Sequence, residues 1–200
     1  MSLTNIKAHF EQVDPVIYAV LNNMPVQLVK PLPPEAYFQK LCTEIIGQQL
    51  AGKAADAIEL RFIQLFDGLP DPQSVLLIEE QALRNVGMSW AKARSVKDLA
   101  EQVQQNTVKL ANLQHLSNEA VISELVKVKG IGQWTAKMFL MFTLGREDVF
   151  SIGDLGLRKG IEKLYGFANR PTDVQIKRIV SKWTPYKTYA SLALWQSVDG

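Results

Sequence analysis

The sequence predicts an all-α protein, and three observations carry that reading. Apolar residues recur at helical spacing along most of the chain, with no convincing alternating apolar–polar run and no internal repeat. Cap residues stand at the starts of the periodic segments. The connections between those segments are short and polar.

Taken in order, the Pro31 to Pro34 stretch reads as the one linker-like segment, joining an N-terminal helical arm to the main body. Ala51, Ala54, Ala55, Ile58, Phe62, Leu65 and Phe66 fall on one helical face. Asp71-Pro72 places a cap before a proline at a first helical position. Gly87-Met-Ser precedes a helix start that carries Lys92 and Arg94. Ser117 or Asn118 can open a helix running to Val128, and Asp154 can cap one beginning at Leu155. Thr172 with Gln175 has capping-box spacing, and Pro185 can open a last helix through Trp195.

Two hundred residues, 47% of them hydrophobic, are enough for one sizeable core or two small lobes. The longest apolar stretch, around Met138 to Leu144, falls far short of the roughly 20 residues that cross a bilayer. With no signal-peptide pattern, the expectation is a soluble intracellular protein without a membrane partner. Cys42 stands alone in an apolar helical pattern and reads as a core thiol, which leaves no cysteine set for zinc or an iron–sulfur cluster. His9 and His115 lie far apart, which gives a histidine metal site or a catalytic triad little support.

The net charge of +2 is small, but its distribution is uneven. Residues 1–89 hold 6 basic and 10 acidic side chains, whereas residues 151–190 hold 8 basic and 3 acidic. Arg158, Lys159, Lys163, Lys177, Arg178, Lys182 and Lys187 could form a phosphate-facing surface or be ordinary solvated faces.

The strongest local signal runs from Leu125 through Val-Lys-Val-Lys-Gly130-Ile-Gly132-Gln-Trp134 to Leu140: a helix, a tight two-glycine turn and a second, apolar helix. Gly130 and Gly132 let the backbone turn sharply and approach another molecule closely. The N–H groups that open the next helix favour an anion such as phosphate. A plain helical hairpin, with glycines serving only close packing, is the competing reading of this stretch alone.

The segment resembles the hairpin of the helix-hairpin-helix (HhH-GPD) DNA glycosylase superfamily. Three further segments are similar to its alkylpurine branch, that of 3-methyladenine DNA glycosylase II: Ile45-Ile-Gly-Gln48-Gln49-Leu50, Gly87-Met-Ser-Trp-Ala-Lys92-Ala-Arg94 and Tyr189-Ala-Ser-Leu-Ala-Leu-Trp195. Downstream of the hairpin, Asp148-Val-Phe-Ser-Ile-Gly-Asp154-Leu-Gly-Leu-Arg158 resembles the stretch that bears the superfamily's catalytic aspartate. The likeness covers roughly residues 36–196 and implies two helical lobes around a cleft, lobe one 37–145 and lobe two 1–36 plus 146–200, with no separate N-terminal β-domain.

Asp154 taken alone could simply cap a helix, yet capping and catalysis are compatible. A carboxylate held ionised at a helix N-terminus can stabilise the oxocarbenium character that develops as an N-glycosidic bond breaks. It can also orient or deprotonate the attacking water. A purine alkylated at N3 or N7 already carries positive charge, so it leaves without a general acid and favours aromatic surfaces. Trp134 and Trp195 are the matched candidates, with Met138 as a pocket wall where the resemblance allows an aromatic residue; either indole could equally be core.

Excision from a duplex requires the nucleotide to be flipped out and the gap filled. The resemblance puts Gln49 at the intercalating position, and Leu50 is the alternative because apolar wedges are common. Backbone binding is expected from Lys129, Gly130, Gly132, Gln133, Lys92, Arg94 and Arg158. The resemblance also implies a structural monovalent cation, Na+ or K+, on the carbonyls of Val126, Val128 and Ile131; no cofactor is expected for catalysis. Trp134 stands where strand-nicking members carry a Schiff-base lysine, and Lys137 lies almost a full turn further on.

The resemblance thus implies a monomeric, monofunctional glycosylase that removes alkylated purines from double-stranded DNA in base excision repair and leaves an abasic site. Two rivals are a non-catalytic helix-hairpin-helix DNA-binding module and a glycosylase for oxidised or mismatched bases. The second would need a protonating residue, and none stands out in the quoted segments.

Overall fold

The computed structural model describes residues 2–199; among them are twelve α-helices and no strand, as the periodicity predicts. The order is α1 (Leu3–Val13), α2 (Pro15–Asn22), a 3-10 turn (Pro34–Ala36), α3 (Tyr37–Gly47), α4 (Gly52–Ile63), α5 (Pro72–Leu77), α6 (Glu80–Asn85) and α7 (Trp90–Gln104). A 3-10 segment (Leu110–His115), α8 (Asn118–Leu125), α9 (Gln133–Phe142), α10 (Leu155–Leu164), α11 (Asp173–Val180), a 3-10 turn (Ser181–Trp183) and α12 (Lys187–Asp199) follow. None is long and apolar enough to cross a membrane.

The chain divides into two compact units. A continuous unit comprises Leu32–Leu144, and a discontinuous one joins the chain up to Pro31 with the chain from Gly145 onward. In the continuous unit α3 buries Phe38, Leu41, Ile45 and Ile46, α7 buries Val96 and Leu99, and α9 buries Phe139, Leu140 and Met141. Tyr37 and Phe139 meet edge to face at 5.5 Å. Cys42 is fully buried on α3, and burial pushes its thiol pKa far up, so it is an inert core residue.

The discontinuous unit packs Ile6 and Phe10 of α1 and Ile17 and Leu21 of α2 into one core with Leu157, Ile161, Trp183 and Tyr189. At its centre Asp14 caps α2 through the Ile17 N–H. It also accepts from Trp183 Nε1 at 2.7 Å and Tyr165 Oη at 2.6 Å. Burial and the Asp14 carboxyl push the Tyr165 hydroxyl pKa far up, which keeps it a donor.

Helix bounds differ from expectation at several points: α4 ends at Ile63, short of Leu65 and Phe66, and α12 continues past Trp195 to Asp199. Helix α8 stops at Leu125 rather than Val128, because the Lys129 N–H is taken by Asp98 Oδ2 at 2.9 Å and Gly130 turns away with φ +86°. Helix α12 opens at Lys187 rather than Pro185, because the Tyr186 N–H turns back to Trp183 O and the Thr188 N–H goes to Glu147 O.

Candidate active site

In the discontinuous unit Asp154 is the N-cap of α10, with its Oδ1 accepting the Leu157 N–H at 2.8 Å. Sequence reasoning had that geometry from residue type and position alone. The same Oδ1 accepts the indole N–H of Trp195 on α12 at 3.1 Å, and Asp154 is only 7% exposed. Gly156 makes this approach available: a Cβ there would lie 3.0 Å from Trp195 Cδ1 and 3.2 Å from Asp154 Oδ1. A helix N-terminus and an indole donor therefore hold one carboxyl oxygen in a fixed direction, an arrangement suited to stabilising developing positive charge.

Within the continuous unit the turn between α3 and α4 meets the α8–α9 hairpin. Gly47, Gln48, Gln49, Leu50, Gly130, Gly132, Trp134 and Thr135 line one cavity of about 780 Å³, together with Lys40, Thr43, Glu44 and Glu59. Trp134 is 45% exposed and Leu50 39%, unusual for such large apolar side chains. Gln49 is also exposed and holds φ +57°, left-handed backbone that costs a non-glycine residue about 1 kcal/mol. Met138, expected as a pocket wall, is 4% exposed and does not line this cavity; one turn beyond Trp134 its position has rotated into the core.

The hairpin turn is braced from α7. Asp98 accepts the Lys129 N–H and pairs with Lys129 Nζ at 3.2 Å. A Cβ on Gly130 would lie 2.3 Å from Ser95 Oγ, so only glycine fits. Arg94 and Lys129 line one cavity of about 410 Å³ beside that turn, together with Glu80, Asp98 and Glu101. Gln133 is exposed at the opening of α9.

Two cations expected on the DNA backbone have internal partners. Lys92 Nζ donates to Ile46 O at 2.8 Å and Gln48 O at 2.7 Å, satisfying carbonyls at the C-terminus of α3, and burial lowers its pKa. Arg158 donates to Ile152 O, Pro171 O and Asp173 Oδ1. Its guanidinium ties the start of α10 to the start of α11.

Sequence reasoning quoted Gln48 only as part of the Ile45–Leu50 segment, with no role, and passed over Glu44. Gln48 Nε2 donates to Gly130 O at 2.8 Å and Thr135 Oγ1 at 3.3 Å. Glu44 lies in the cavity one turn before Gln48, where burial raises its carboxyl pKa, Lys40 lowers it and Glu59 raises it again. Their roles had no local signal, because Gln48 meets Gly130 and Thr135 and Glu44 meets Glu59 only through the fold. Lys137 on α9 is half-buried, and burial lowers its ammonium pKa.

The chain thus carries a helical hairpin with an exposed opening at Gly132, Gln133 and Trp134, and a buried, indole-bonded helix-capping carboxylate. Residues 42–186 match the HhH-GPD superfamily of base excision DNA repair proteins, and the chain belongs to that family. The resemblance drawn from its sequence segments is thereby borne out. A DNA-3-methyladenine glycosylase of Saccharomyces cerevisiae is 34% identical over 170 residues, 78% of this chain and 57% of its own length. The chain therefore spans little more than half of that relative. The crystal structure of a DNA-3-methyladenine glycosidase from Bacillus halodurans is 36% identical and superposes with a TM-score of 0.82, covering 96% of this chain and 88% of that one. A 3-methyladenine DNA glycosylase of Schizosaccharomyces pombe, in complex with abasic DNA, is 28% identical with a TM-score of 0.77, covering 96% and 95% of the two chains.

Proposed function

We propose that the protein is a monofunctional DNA glycosylase that excises alkylated purines from double-stranded DNA in base excision repair. The observation that carries this reading is Asp154, a buried carboxylate fixed by the α10 N-terminus and the Trp195 indole in a chain of a base excision repair family. The bond between C1′ and the base nitrogen breaks with its electron pair passing to the cationic base, which leaves neutral. Asp154 stabilises the positive charge on the sugar, and water adds to C1′ and gives up its proton, leaving an abasic site. The exposed face of Trp134 offers the cationic base a π surface worth roughly 0.5–2 kcal/mol. The names of the yeast and bacterial relatives support this substrate class.

DNA is held by the hairpin, with the α9 N–H groups, Arg94 and Lys129 facing phosphate. The backbone carbonyls of Val126, Val128 and Ile131 are hard oxygen donors of the kind that suits Na+ or K+. Such an ion would brace the turn and supply no chemistry. The protein works inside the cell as a monomer, since no step calls on a second copy.

Asp154→Asn keeps a side-chain acceptor for the helix cap but removes the charge. Release of methylated purines should fall by a factor on the order of 10² to 10³ while the fold is retained, with strands cut only after alkali. An undiminished mutant would remove Asp154 from the chemistry, and DNA binding without release by the wild type would favour a binding module. Borohydride should trap no protein–DNA adduct, because Trp134 occupies the Schiff-base position. A trapped adduct lost in Lys137→Ala would overturn the monofunctional assignment.

A further inference from the structure

We propose that Gln48 is a positioning residue for base flipping, holding the turn that presents Gln49 and Leu50 in register with the hairpin that grips the DNA backbone. The inference rests on the glycosylase reading above and extends it to a residue with no chemistry of its own. The turn closes with the Leu50 N–H on Gly47 O at 3.2 Å. Gln48 at φ −51°, ψ 129° and Gln49 at φ +57° give it type II geometry. The third position of such a turn favours glycine or asparagine, and here a glutamine is held there.

Strained backbone persists where its surroundings over-determine it, and the structure shows what does so. Lys92 Nζ fastens the carbonyls of Ile46 and Gln48, on either side of Gly47. The Gln48 amide fastens the turn to the Gly130 carbonyl and to Thr135 in the first turn of α9. Gly130 is itself fixed against Ser95. The exposed pair Gln49 and Leu50 thus stands on a turn bolted to the phosphate-binding hairpin, so that where the backbone is gripped sets where the stack is entered. A loop free to move would have to be ordered at each flipping event.

The test compares single-turnover release of 7-methylguanine from a duplex and from the same oligonucleotide as a single strand, where no stack must be opened. Gln48→Met, which keeps length but cannot donate, should lose roughly tenfold or more on the duplex and about twofold or less on the single strand. Gln48→Glu, which cannot donate to a carbonyl when ionised, should show the same split and guards against a misfolded first variant. Equal loss on both substrates, or no loss on the duplex, would overturn the positioning role. Release by the wild-type protein from neither substrate would instead overturn the glycosylase reading, and the role with it.

Discussion

Asp14 has three donors around it, the Ile17 N–H, the Trp183 indole and the Tyr165 hydroxyl, in a core that excludes water. Asp14→Ala leaves the indole and hydroxyl without an acceptor, and urea unfolding should show a loss of about 3 kcal/mol. Glu44 behaves in the opposite sense. Its carboxyl pKa is raised chiefly by burial, so the folded protein binds its proton more tightly than the unfolded chain does. Its destabilising effect is therefore present above the folded pKa and fades as pH falls below the ordinary carboxylate range. Glu44→Gln should accordingly raise the melting temperature at pH 7 and bring no gain near pH 3; a gain of equal size at both would show that charge is not the cause.

At the scale of elements the hairpin is sensitive to a single added carbon. Gly130→Ala would place a methyl against Ser95 at φ +86°, and thermal unfolding should register a loss of about 2 kcal/mol together with weaker DNA binding. Much of this element was legible in the sequence, because glycine spacing and an adjoining apolar helix are local signals. The Asp154 cap was legible for the same reason, since its partner Leu157 lies three residues away. The internal partners of Lys92 and Arg158 were not legible, because a cation in a sequence looks alike whether it faces solvent or a carbonyl brought in from another element. Met138 shares a helical turn with Trp134, and only packing reveals that one faces the core and the other is exposed. The Gln48 tie to Gly130 joins segments far apart in the chain, beyond the reach of any local pattern.

For the molecule as a whole, the glycosylase reading makes phosphate attraction, from the basic excess of residues 151–190 and from Arg94 and Lys129, a contributor to DNA affinity. If about four phosphates are neutralised, binding to undamaged duplex should weaken roughly 100-fold between about 50 and 200 mM salt. A salt-independent affinity would count against backbone contact. The continuous unit is inserted into the other, and the Leu32 N–H on Thr143 O at 2.8 Å draws its two ends together. On the ribosome, the inserted stretch can therefore complete its core while synthesis continues, whereas α2 must wait for α12 to emerge before it can be covered. A nascent chain released before α12 would carry a finished hairpin and an orphaned N-terminal arm, able to hold DNA yet marked for degradation by its own exposed Phe10 and Ile17.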